Sequence, residues 1–143
     1  MSKRAGYVDA LKNRSDRSSL CKLRVSVHNL AIERGRYLKV PRDQRICEIC
    51  KSGKIENEQH MLIHCRGYSS IRESFVLKIF KITVKNITTL CDKNKINLIL
   101  NNTSYTALKL SSSFVTTCLN ARSNLLQYIF IIIPLIFYSH NYI

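Results

Sequence analysis

A chain of 143 residues, 45% of them apolar, can build one modest core and is too short for several domains. Its 23 lysines and arginines outnumber 9 acidic residues, a net charge of +14 that calls for an acidic partner: RNA or DNA first, an anionic membrane surface second, with a merely soluble basic surface as the bland alternative. Fourteen of the basic residues precede Ile55, so the excess leans toward the amino-terminal part.

Residues 1–18 read as a basic, flexible segment with a short frayed helix around Tyr7 to Lys12. They hold no apolar run of signal-peptide type, so the expected setting is intracellular and reducing, nucleus or cytoplasm, with the six cysteines as thiols. Cys21, Cys91 and Cys118 have apolar neighbours and read as small buried residues. From Ser18 or Ser19 a helix is expected to run to Arg34, with Leu20, Leu23, Val27 and Leu30 as its apolar stripe, packing against the cysteine-rich module that follows. His28 lies beside that stripe and reads as a partly buried core residue, and Gly35 as the helix terminator.

An extended segment then leads into the cysteines. Arg34, Arg36, Tyr37, Arg42 and Arg45 form the candidate nucleic-acid-binding surface: guanidinium forks suit phosphate oxygens, and Tyr37 suits an unpaired base. In the competing reading Tyr37 covers the core and the arginines are simply solvated.

The stretch 45–66 carries the clearest chemistry. Cys47 and Cys50 are separated by two residues, Gly53 eases the reversal beyond them, and His60 and Cys65 follow with four residues between. Three thiolates and an imidazole suit a closed tetrahedral Zn2+ site, which leaves no open position for a catalytic water. Arg45, Lys51, Lys54 and Arg66 would offset the negative charge of such a centre. His64 competes for the fourth position, because His60 and His64 share a face of a regular helix; a third thiolate favours Cys65. Glu56 and Glu58 are candidates to accept the proton of the free His60 nitrogen, or are two solvated carboxylates.

Three more helices are expected. The first starts at Ser69 or Ser70, runs to about Lys81 and has Ile71, Phe75, Ile79 and Ile82 on one face; the second covers 93–100 with Ile96, Ile99 and Leu100. The third covers 104–122 with Tyr105, Leu108, Val115, Cys118 and Leu119. The apolar run 128–138 is shorter than the ~20 residues of a membrane-spanning helix and contains Pro134. It reads as a buried strand or helix, or a foreign appendage, with a tail anchor as the minority alternative. The expected division is therefore a basic segment 1–18, a zinc-binding helical domain 19–122 with its module at 45–66, and a hydrophobic tail 123–143.

The run from Ser19 to Phe75 resembles the carboxy-terminal zinc-binding region that follows the polymerase in reverse transcriptases of non-LTR (LINE-type) retrotransposons. The likeness lies in KLRVSVHNL, ERGRY, PRDQR before the C-x2-C pair, IENEQH, and the last cysteine followed by a Tyr-Ser helix start. It is loose as far as the last of these helices and absent from the apolar tail. The resemblance implies ligands at Cys47, Cys50, His60 and Cys65 and a part in engaging RNA or target DNA.

It does not extend to catalysis. Polymerisation needs paired aspartates, whereas Asp9, Asp16, Asp43 and Asp92 are isolated, and no P-loop, G-x-S-x-G or H-E-x-x-H pattern occurs. The expectation is a mainly α, zinc-stabilised domain with a C-x2-C knuckle or short hairpin flanked by amphipathic helices. Its expected function is non-catalytic nucleic-acid binding; the alternatives are a structural or protein-interaction finger and a membrane-associated protein held by its tail.

Overall fold

The computed structural model describes residues 9, 11–83 and 86–139, with side chains to residue 127. Tyr7, Ala10 and most of the segment 1–12 lie outside this description. From Arg14 onward the described residues form five α-helices: α1 (Arg14–Arg24), α2 (Ala31–Tyr37), α3 (Ser69–Thr83), α4 (Asp92–Leu100) and α5 (Tyr105–Ser139). No strand forms among the described residues; a single antiparallel bridge, Ile46 to Ile55, closes a short hairpin between α2 and α3. The expected fold class, mainly helical around a knuckle or short hairpin, is the observed one.

α5 is the spine. At 35 residues it is about 50 Å long and packs on α1, α3 and α4. Ala107, Leu108, Phe114, Val115 and Cys118 are buried along it, as the period of three and four residues predicts, while Tyr105 at its first turn is exposed. Phe114 stacks on Phe75 of α3 with ring centroids 4.4 Å apart, and Ile79, one turn on, is fully buried. Ile82 leaves that face and is exposed. The helix runs through residue 122 without a break and continues past Pro134, so the division expected at 122/123 falls inside an element. A proline within a helix removes one backbone donor; here it does not end the helix. No helix among the described residues is long and apolar enough to cross a membrane.

The amino-terminal half departs from the expected single helix. α1 begins earlier, at Arg14, where Asn13 caps it by accepting from the Ser15 N–H, and ends at Arg24. Ser26 then takes a left-handed conformation (φ 53°), and the Val27 N–H reaches back to the Lys22 carbonyl, closing the last turn. The expected stripe is cut there: Leu20, Leu23 and Leu30 are buried, whereas Val27 is exposed. α1 packs on α5 rather than on the metal-ligand module; the connection 26–32 makes that contact instead. Leu11, placed by sequence in a flexible segment, is also part of the core.

Gly35 does not terminate a helix. It sits inside α2, where an added Cβ would lie 2.6 Å from the Arg45 Cγ. α2 ends instead with Lys39 in the left-handed region (φ 56°), the Val40 N–H bonded to the Gly35 carbonyl, and Pro41 following. The segment from Arg34 to Tyr37 is therefore helical and not extended. Of the three other cysteines, Cys118 is buried, Cys21 is half-buried and Cys91, at the start of α4, is exposed, against the expectation for the last.

Candidate metal centre

Two backbone devices bring the four ligand candidates together. The hairpin supplies Cys47 and Cys50: the Cys47 N–H bonds to the Lys54 carbonyl at 2.8 Å and the Glu56 N–H to the Arg45 carbonyl at 3.0 Å. Lys51, with its N–H on the Cys47 carbonyl, and Gly53 carry positive φ values of 51° and 72° and reverse the chain. The second device is a π-turn, His60–His64, in which the Cys65 N–H donates to the His60 carbonyl at 2.7 Å. Its start is fixed by the Asn57 side chain, which accepts from the His60 N–H at 2.8 Å.

The wider winding decides between the two candidates for the fourth position. In a regular α-helix residues four apart share a face, which would place His64 beside His60. In a π-turn the bonded pair is five apart, and His60 and Cys65 come together instead. His64 is exposed and faces α4, with Nε2 2.7 Å from the Asp92 carboxylate. Cys47, Cys50, His60 and Cys65 bring their ligand atoms within 4.8 Å of one another, an arrangement that could hold a metal ion. The Cys47 and Cys65 sulfurs are 3.8 Å apart, and the Cys50 sulfur is 3.3 Å from the His60 Nε2.

Electrostatics around the cluster are those of a buried donor set. Burial pushes the Cys47 thiol up to about 12, with the neighbouring Cys65 and Glu56 acting in the same sense, and raises Cys65 as well. Burial opposes ionisation of Cys50 too, but hydrogen bonds, first among them from Ser52, bring it below the ordinary thiol value. Burial also lowers His60 and so favours the neutral ring, the form that ligates.

The two glutamates play neither role expected of them. Glu56 is buried and bidentate to Arg122 of α5, with both contacts at 2.7 Å, and also accepts from the Ala31 N–H at 2.6 Å, starting α2. Glu58 accepts from Ser26 and pairs with the His28 Nε2 at 2.7 Å. The His28 side chain is almost wholly buried, as expected of a core histidine. Arg72 of α3, which sequence reasoning passed over, donates to the carbonyls of Met61, Leu62 and Cys65 and locks the π-turn. Only its position seven residues after the last cysteine hinted at this.

The five residues expected to contact nucleic acid fare unequally. Arg45 turns inward, its Nε on the Val40 carbonyl and its Nη1 on the Ile32 carbonyl, both at 2.9 Å. Arg34 pairs with Glu48 at 3.3 Å, and Arg36 with Glu33 at 2.8 Å while lying 5.1 Å over the Tyr37 ring. Tyr37 is 69% exposed and so does not cover the core; Arg42 is exposed.

No protein-family model matches the chain, and no curated protein or solved structure is significantly similar to it.

Proposed function

We propose that this chain is a non-catalytic, zinc-stabilised module that binds nucleic acid with little sequence preference, of the kind found at the carboxy terminus of non-LTR retrotransposon reverse transcriptases. The observation that carries the metal reading is the spacing of the donor atoms. Zn–S bonds of about 2.3 Å in a tetrahedron put two sulfurs about 3.8 Å apart, and Cys47 and Cys65 are 3.8 Å apart. Thiolate and imidazole donors select zinc over calcium and magnesium, and four protein ligands complete the coordination shell. Zinc would tie the hairpin to the π-turn, and it would do no chemistry.

The nucleic-acid part rests on the net charge of +14 and on exposed cations around the hairpin. Two measurements test it. Elemental analysis is expected to return one zinc per chain, lost in Cys65→Ser and kept in His64→Ala; a folded protein without zinc removes the metal reading. Affinity for RNA or single-stranded DNA is expected to fall steeply with salt, and salt-insensitive binding or none removes the nucleic-acid reading.

A second reading is a structural or protein-interaction finger with incidental charge. One observation favours it: Arg34, Arg36 and Arg45 are already engaged within the protein. Under that reading the folded, zinc-loaded protein binds neither RNA nor single-stranded DNA at low salt, and Arg34→Ser with Arg36→Ser changes nothing.

A further inference from the structure

In the segment 34–45, Arg34, Arg36 and Arg45 are engaged within the protein, and a group of free cations lies elsewhere. Beside the metal centre an open cleft of about 950 Å³ runs between the hairpin and the turn after Cys65. Lys51 and Lys54 line it from the hairpin tip and Arg66 from the opposite segment, with Ser52, Gln59 and His64 supplying hydrogen-bonding groups. Lys51, Lys54 and Arg66 are all exposed. Among the described residues none of the three side chains is in an ion pair or hydrogen bond, and no carboxylate lines the cleft. Asp92, which touches the lining residues His64 and Gln59, is held by them and by Lys95.

We propose that this cleft is the seat of the nucleic-acid backbone: Lys51, Lys54 and Arg66 take the phosphates of a single strand that passes beside Cys50 and His60. The inference rests on the nucleic-acid reading above and moves its contact surface from Arg34, Arg36 and Arg45 to the metal hairpin. Three arguments support it. Cations already paired with carboxylates must give up those partners before they neutralise a phosphate, whereas unpaired ones only shed counterions. The cations project from two chain segments that the proposed metal would hold together, so a strand between them meets positive charge on both sides. Finally, a zinc centre with three thiolates carries a charge of about −1, which three adjacent cations reverse; without a polyanion they would largely repel one another.

The test uses the full chain with zinc bound and a short, mixed-sequence, labelled RNA, titrated between about 50 and 200 mM salt. A triple variant, Lys51→Gln, Lys54→Gln and Arg66→Gln, is compared with a double variant, Arg36→Gln and Arg42→Gln, after zinc content and helical circular dichroism have been matched to wild type. For a single strand, each phosphate that the protein no longer neutralises makes the dependence of log affinity on log salt shallower by about 0.7. The triple variant is therefore expected to bind about ten-fold or more weakly at low salt, with a slope shallower by about two. An unchanged slope in the triple variant, with the loss in the double variant instead, overturns the cleft and leaves the general reading standing. Wild-type protein that binds no strand at low salt overturns both. Tighter binding to a duplex of the same sequence overturns the assignment to a single strand.

Discussion

The metal hairpin and the helical bundle are held together by different means. In the bundle, apolar residues recur every three or four positions and stack face to face: Phe75 on Phe114, with Ile79, Leu108 and Val115 buried around them. Across 45–65 the buried apolar side chains are few, namely Cys47, Met61, Leu62 and Cys65. There the backbone is fixed by polar side chains that reach its amides and carbonyls: Asn57 on His60, Glu56 on Ala31, Arg45 on Ile32 and Val40, and Arg72 on Met61, Leu62 and Cys65. Where a segment is too short to carry a hydrophobic face, directional bonds and a set of metal-type donors replace it.

The largest expected break of this contrast is loss of the metal site. If the proposed zinc is bound, a site of this kind is worth on the order of 10 kcal/mol, and Cys65→Ser should abolish ordering of the hairpin. Hydrogen exchange should then show protection lost across 45–65 and retained along the buried face of α5; equal loss in both would mean that the two regions form one cooperative unit. Next comes the tie between them. Arg122→Met leaves the Glu56 carboxylate buried without its partner and should cost about 3–5 kcal/mol in denaturant unfolding, with most of the loss recovered in the Glu56→Leu, Arg122→Met double variant. Phe75→Ala removes the stack within the bundle and should cost about 3–5 kcal/mol as well, but without changing whatever metal content the wild type shows.

Smaller effects sharpen the picture on the hairpin side. Gly35→Ala drives a methyl group into the Arg45 side chain and should cost about 1–3 kcal/mol. Lys39→Gly relieves a left-handed lysine and should raise stability by up to about 1 kcal/mol, read as a shift in the unfolding midpoint.

Much of this was legible in the chain. The helices from Ser69 onward follow from their apolar period, and the Cys and His spacing named the four clustered donors before their geometry was known. The rest depended on interactions that spacing does not encode. Nothing local marks Ser26 as the residue that turns left-handed, and the stripe from Leu20 to Leu30 continued on paper through a break made by backbone bonding. Gly35 looked like a terminator because its real constraint, the Arg45 side chain lying over it, comes from ten residues away. That Arg34, Arg36 and Arg45 already hold carboxylates or carbonyls is not legible either, because sequence gives charge but not partners. The choice of Cys65 over His64 hinged on a π-turn, which no periodicity argument anticipates.

The pairing of Glu56 with Arg122 also bears on how the protein is made. Synthesis delivers Glu56 well before Arg122, 66 residues later, so on the ribosome the hairpin emerges with a carboxylate that lacks its bidentate partner until half of α5 has been translated. Thiols and imidazole could trap an ion early, yet the seat of that ion would not lock until the last long helix docks. A nascent chain stalled before residue 122 should therefore hold its metal more loosely than the released protein, which makes α5 the latch of a site to which it contributes no ligand.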